Sequence, residues 1–432
     1  MIWLYRALFI PAMLLSAPYY GWRMLRRGGY GLDFSHRFGL QKDLPPVVAG
    51  KKRVWIQAVS VGEIEAIAPL VDLLCESGKV EVVLTTTTST GYAVLRNKYA
   101  DKILYGGIFP FDFFPFSRSA WRRIKPDAVV LMESELWPEH LHTAKSKKVP
   151  AMLVNARMSD KSFRRYSRVP YLARRLLDKL SLIAVSGEID FSRFISLGAN
   201  PRKTICTGNL KFDTRPAAML DENGKLELRK QLGFSADSFI LLGSSTWPTE
   251  EEMLLKAAEK IRAAGIDCRL LLVPRHAERR AEIIELIKNL PHCVRSREKQ
   301  ARDGTLVYLA DTTGELRTLT QIADLAFIGK SLAPNEGGQS PIDCAASSVP
   351  MVYGSHMSNF RRICQTLEES AAAVKVADAD AAVSEIVRLA KNKNARTALA
   401  DSAKKWHDSN IGAAKRDFDA VMKILFPEDG NK

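Results

Sequence analysis

Residues 54–63 read Val54-Trp55-Ile56-Gln57-Ala58-Val59-Ser60-Val61-Gly62-Glu63. A short apolar run without polar alternation marks a strand buried on both faces of a parallel sheet, and helical periodicity takes over after it. The same strand-then-helix unit recurs at Val80–Leu84, Ala128–Met132, Ala151–Val154, Leu182–Val185 and Thr204–Thr207. It then restarts at Phe239–Leu242, Arg269–Val273, Thr305–Leu309, Leu325–Ile328, Met351–Tyr353 and Val374–Val376. Strands alternating with helices in this way predict two successive doubly wound α/β domains of Rossmann type. The 432 residues suit two such domains, since one core rarely grows beyond ~250–300 residues. The seam is expected near Thr214-Arg215-Pro216-Ala217, with the domains facing each other across a cleft. This gives an anchor over 1–27, a first domain over 28–215 and a second, with the C-terminal helices, over 216–432.

With 46% hydrophobic and 26% charged residues the chain is an ordinary globular one, without low-complexity tracts or fixed-period repeats. The six cysteines stand singly, with no C-x-x-C pair, which argues against a zinc ribbon or a redox dithiol and for reduced thiols. A net charge of +15 calls for an acidic partner. No nucleic-acid-binding pattern is present, so nucleic acid is not expected. Anionic lipid fits better, because the densest basic group adjoins the most apolar segment. Residues 1–22 read MIWLYRALFIPAMLLSAPYYGW, and Arg23, Arg26 and Arg27 follow. Aromatics at both ends and arginines behind them predict an anchor with the rest of the chain on the cytoplasmic side. The stretch is close to the minimum spanning length and contains Arg6, Pro11 and Pro18, so an interfacial helix fits equally, and a buried first helix is the plain alternative.

Ligands of doubly wound sheets bind beyond the carboxyl ends of the strands, which directs attention to those loops. Ser60-Val61-Gly62-Glu63 places Glu63 in a first helical turn, either as a dipole complement or as a general base. Met132-Glu133-Ser134-Glu135-Leu136-Trp137-Pro138 places two carboxylates at another strand end, where they either orient a substrate or cap and pack. Gly243-Ser244-Ser245-Thr246-Trp247-Pro248-Thr249-Glu250 reads as a small-residue loop opening a helix, with Ser245 and Thr246 offering hydroxyls and backbone N–H groups to a phosphate. Val273-Pro274-Arg275-His276 delivers a cation to the same edge. Gly337-Gly338-Gln339-Ser340-Pro341-Ile342-Asp343 reads as a further anion-receptive helix start, with Asp343 available to ribose hydroxyls.

Taken together, these loops resemble those of the 3-deoxy-D-manno-octulosonic acid (Kdo) transferases. The resemblance extends to Asn155-Ala156-Arg157-Met158-Ser159, Thr207-Gly208-Asn209-Leu210-Lys211-Phe212-Asp213 and Asp311-Thr312-Thr313-Gly314-Glu315-Leu316, in the family's order over almost the whole chain. It implies a GT-B fold and transfer of Kdo from CMP-Kdo to a lipid A precursor at the cytoplasmic face of the inner membrane. It implies Glu63 as general base, Glu133 as a second residue needed for activity, and Arg275, Gly337 and Gly338 on the donor side. Lys211 is expected to assist the leaving phosphate, and no metal or other cofactor is expected, since no Asp-x-Asp motif occurs. The chain departs from the family pattern at Gln339, Ser340 and Asp343, and at Trp247, where His is usual. A transferase using another nucleotide sugar, an epimerase of the same fold and a non-catalytic basic binder are the alternatives. The aromatics Phe111, Phe113, Phe114 and Phe116 form either an apolar lip for acyl chains or inward packing.

Overall fold

The structure, a computed structural model, describes residues 2–27, 31–214, 219–298 and 300–427. The expected linker from Arg215 onward, and the side chains of Arg23 and Arg27, lie outside the described residues. The chain divides into two compact units, Met1–Thr214 with Asn410–Lys432, and Arg215–Ser409.

The first unit is built on seven parallel strands: β1 Lys52–Gln57, β2 Val80–Thr86, β3 Tyr105–Ile108, β4 Ala128–Met132, β5 Ala151–Ala156, β6 Leu182–Val185 and β7 Thr204–Cys206. Their order is β3-β2-β1-β4-β5-β6-β7. The chain runs outward from β1 and then returns to its other side at β4, so the point where strand order reverses lies between β1 and β4. Every residue of β2, β4, β5 and β6 is buried, as the unalternating apolar runs predict.

The second unit repeats the plan with β8 Phe239–Thr246, β9 Cys268–Pro274, β10 His292–Val294, β11 Val307–Leu309, β12 Leu325–Ile328, β13 Met351–Gly354 and β14 Val374–Val376. The order is β10-β11-β9-β8-β12-β13-β14, with the reversal between β8 and β12. Two doubly wound parallel α/β domains are therefore present. In each sheet one strand escapes the sequence reading. Tyr105-Gly106-Gly107-Ile108 lacks an apolar run, and His292-Cys293-Val294 is too short to show one.

The domain boundary needs one correction. The C-terminal helix Ala413–Leu425 does not belong with the second unit but packs against the helix Val61–Glu76 of the first. Ala413, Ala414, Val421 and Leu425 are buried in one cluster with Ile64, Ile67 and Leu70. Asp213 secures the turn into it, accepting from Gly412 N (2.6 Å) and Ala414 N (2.5 Å), while Arg416 Nε donates to Thr207 O at 2.7 Å. The motif 207–213 thus ties the chain end back onto the first unit, a non-local contact that amphipathicity cannot reveal.

The N-terminal segment forms one helix, Ile2–Arg27, long and apolar enough by composition to cross a membrane. Its first turns dock on the first unit. Arg6 makes a two-pronged pair with Glu139 (2.7 and 2.8 Å), and Tyr5 donates to Asp112 Oδ2 at 2.9 Å. Asp112 also caps the helix Pro138–Ser146, accepting from Glu139 N and His140 N. Phe9 stacks on Phe113 at 4.8 Å, Arg6 lies over Phe114, and Phe111 and Phe116 pack on Phe38. The Phe111–Phe116 aromatics therefore serve largely to seat this helix and the short helix Phe34–Phe38. Trp3, Leu4, Leu8, Leu14 and Leu15 point outward, so the helix is not a buried first helix.

Candidate active site

In the first unit the carboxyl ends of β1, β4 and β5 gather a cluster of charged groups at the strand-order reversal. Ser60 is the N-cap of the helix 61–76, and Glu63 reaches back in a capping box. Glu63 Oε2 accepts from Val59 N at 2.9 Å and Oε1 from Ser60 Oγ at 3.2 Å. Capping therefore holds Glu63 in place without neutralising it. Burial, opposed by the Val59 N–H and reinforced by the charge of Glu133, pushes its carboxyl up to about 7.

Glu133 follows β4 with a left-handed backbone (φ 55°) and pairs with Arg157 at 2.6 Å. Burial, and then the charges of Glu63 and Glu133, raise Glu135 to about 7 as well. Lys211 lies on the short helix Leu210–Phe212, whose first turn is tied to β5 by Asn155 Oδ1 accepting from Leu210 N (3.1 Å). Burial and the neighbouring Arg157 lower the Lys211 ammonium, while Glu133 and Glu63 hold it up. Lys211, expected among donor-binding residues, thus sits in the first unit with the carboxylates. Three carboxyl groups and two cations share this edge; the sequence reading picked out Glu63, Glu133 and Lys211 but gave no role to Arg157.

In the second unit the picture differs from expectation. β8 continues through Thr246, so Gly243–Thr246 is strand, with a bulge that gives Ser245 a left-handed backbone (φ 54°). Only Trp247–Thr249 is loop before the helix Glu250–Ala263. Thr246 is buried with no partner for its hydroxyl, and Ser245 is half-buried.

The Glu250 carboxylate fills this corner. It accepts from Trp247 N (2.9 Å), Lys330 N (2.8 Å), Ser331 N (2.9 Å) and Leu332 N (3.4 Å), binding the loops after β8 and β12 together. The Gly337 and Gly338 amides are not offered to an anion either, because they donate to His356 O and Lys330 O at 2.9 Å. Glycine is needed there for space. A Cβ on Gly338, whose φ is +72°, would lie 2.3 Å from Met357 Sδ. Asp343 lies on a five-residue helix and is engaged by Arg317 at 3.3 Å, which leaves it less available for a ribose than expected.

What this edge does offer is side-chain charge. Arg275 is exposed, with its amide on Thr246 O. Lys330 holds its ammonium 4.4 Å above the Trp247 ring, and His276 meets the same ring edge-on at 5.1 Å while lying 3.3 Å from Glu278. Trp247, where the family usually has His, thus stacks between two cation-capable groups, and its indole N–H is buried without a partner. Among the described residues no three His, Cys, Asp or Glu side chains are grouped to hold a metal ion.

Residues 33–214 match the family model described as 3-deoxy-D-manno-octulosonic-acid transferase (kdotransferase). The Kdo transferase of Haemophilus influenzae is 30% identical over 96% of this chain and 95% of its own length. The chain belongs to the Kdo transferase family. The Bordetella pertussis member is 32% identical over 94% of this chain and 95% of its own. Kdo transferases are glycosyltransferases, and so is this chain. Among solved structures, a putative UDP-N-acetylglucosamine 2-epimerase from Listeria monocytogenes superimposes with a TM-score of 0.60 at 14% identity, over 88% of this chain and 98% of that one. A glycosyltransferase from Rickettsia africae does so with 0.58 at 12%, over 88% and 100%. At that identity they show the fold alone, the GT-B pair of Rossmann-like domains.

Proposed function

We propose that this Kdo transferase moves Kdo from CMP-Kdo to a lipid A precursor, with the first unit taking the acceptor and the second the donor. The observation that carries the reading is Glu63, a buried carboxyl fixed by two hydrogen bonds at the strand-order reversal, with a proton affinity raised to about 7. A base poised near the working pH takes a proton best. An acceptor hydroxyl gives its proton to Glu63 as its oxygen attacks the anomeric carbon of Kdo. The bond to the CMP phosphate breaks on the opposite face, and the phosphate leaves with the electron pair, which inverts the anomeric centre.

Charge grows on the phosphate as that bond breaks, and fixed cations stabilise it. In this reading Arg275 and Lys330 of the second unit supply that charge, through side chains rather than backbone amides. Glu133, paired with Arg157, orients the acceptor by accepting from its hydroxyls. The acceptor is a lipid, and the outward apolar face of the helix 2–27 suits an inner-membrane enzyme working at the cytoplasmic leaflet.

The test is incubation of the full chain with CMP-Kdo and a tetraacylated lipid A precursor, with mass analysis of the lipid. A gain of one or more Kdo masses, blocked by CMP and not by UDP, is the expected result. No product with CMP-Kdo, and product with a UDP-sugar, would overturn the reading.

A further inference from the structure

After β5 and Arg157 the chain forms two short helices, Asp160–Ser167 and Pro170–Leu177. Their inner side is satisfied: Phe163 and Tyr166 pack on the cluster containing Leu136 and Met158, and Ala173, Leu176 and Leu177 are buried in it. The outer side is unusual. At the turn between them Val169, Tyr171 and Leu172 are exposed, Tyr171 by 64%. The two helices and the turn carry Lys161, Arg164, Arg165, Arg168, Arg174 and Arg175, all exposed, and among the described residues none lies within ion-pair distance of a carboxylate. Of the two acidic residues in this stretch, Asp160 is engaged by Arg193, and Asp178 stands at the far end.

A water-facing surface usually mixes charges of both signs. A one-sign ring about an aromatic and aliphatic tip has the composition of a surface that enters the headgroup layer of an anionic bilayer. The position supports this. Lys179, just beyond the second helix, donates to Pro138 O at 3.3 Å, and the adjoining Glu139 is the residue that seats Arg6 of the N-terminal helix. On its other side the hairpin begins three residues after Arg157, and Tyr166 lies near enough to Glu135 to feel its charge.

We propose that the hairpin 160–177 is a second membrane contact, whose apolar tip and arginine ring seat on anionic phospholipid beside the carboxylate cluster. It rests on the membrane-bound reading only in naming lipid as the acidic partner. The helix 2–27 holds the chain at the bilayer whatever its charge. The hairpin adds a charge-dependent grip and brings the acceptor edge to the lipid surface.

The full chain, wild type and R164A/R165A/R168A, is tested by cosedimentation with vesicles of phosphatidylcholine alone or mixed with phosphatidylglycerol. The triple variant is expected to bind mixed vesicles at least about tenfold more weakly, since each cation near an anionic surface contributes ~1 kcal/mol. Binding to pure phosphatidylcholine should be unchanged. Y171S/L172S should weaken binding to both vesicles. R174A/R175A, on the other helix, gives an independent charge variant, and circular dichroism checks that each is folded. Wild-type binding of mixed vesicles by both charge variants would overturn the proposal, as would loss of duplex DNA binding with vesicle binding intact. If the wild type fails to use CMP-Kdo while these variants still lose anionic vesicles, the substrate reading falls and the contact stands.

Discussion

Arg157 closes on Glu133 at 2.6 Å, and the charges of this pair act on both the Glu63 carboxylate and the Lys211 ammonium. Arg157 lowers the proton affinity of Glu63, and Glu133 raises it. Removing the guanidinium in R157M leaves Glu133 unpaired and takes away the cation that holds Glu63 down. The acid limb of the kcat/KM profile is then expected to move to higher pH, with kcat at neutral pH reduced. A profile with an unmoved acid limb would show that the pair does not govern the base.

Stability should depend on Glu63 in a direction opposite to that of a salt-bridged acid. Its carboxyl is at about 7 in the fold against 4.5 as reference, so between these values the native state holds more protons than the unfolded one. Stability therefore falls as pH rises through that window. E63Q, permanently neutral, is expected to be more stable than wild type at pH ~8 by on the order of 1 kcal/mol, and no more stable at pH ~4.5, by denaturant unfolding at both values.

Glu250 is buried and satisfies four backbone N–H groups from two loops. Burial nevertheless raises its carboxyl, so the four donors only partly offset desolvation. E250A leaves those amides unsatisfied, which at 1–3 kcal/mol for a buried donor predicts a loss of about 3 kcal/mol or more. Trp247 and Lys330 lose their tether too, so CMP affinity, measured by calorimetry, should fall in parallel.

Truncation after Ser409 removes the helix 413–425 and uncovers Ile64, Ile67 and Leu70. If that helix belonged to the second unit, its loss would destabilise that unit. The packing predicts instead that the first unit unfolds earlier, and D213A, which loses two hydrogen bonds to Gly412 and Ala414, should show a milder form of the same change. Hydrogen exchange resolved by peptide distinguishes the two.

The alternation of strands and helices made most of the fold readable, because a strand buried on both faces has no choice but to be apolar. Ala128–Met132, Leu182–Val185, Leu325–Ile328 and Val374–Val376 lie where their residues predict. Two edge strands, Tyr105–Ile108 and His292–Val294, escaped because they owe their pairing to neighbours rather than to composition. The return of the C-terminal helix depends on a hydrogen bond between residues 199 apart, which no local pattern records.

In the candidate site, the loops were legible and the use of their atoms was not. Ser60-x-x-Glu63 is visible as a pattern, yet only burial and the nearness of Glu133 raise its carboxyl to about 7. Gly337-Gly338 looks like a cradle for an anion until its amides are seen to be taken by His356 O and Lys330 O. Lys330 and Trp247, distant in sequence, meet because β8 and β12 pair side by side and Glu250 ties the loops that follow them.

The account stands on Glu63 as the group that takes the acceptor proton. The most direct test is single-turnover transfer by E63Q, with CMP binding measured on the same preparation. Loss of a general base predicts a rate lower by about 10²–10⁴-fold at pH ~8, where the wild-type carboxyl is ionised, with CMP affinity unchanged. An E63Q enzyme that transfers Kdo within a few-fold of wild type would contradict it.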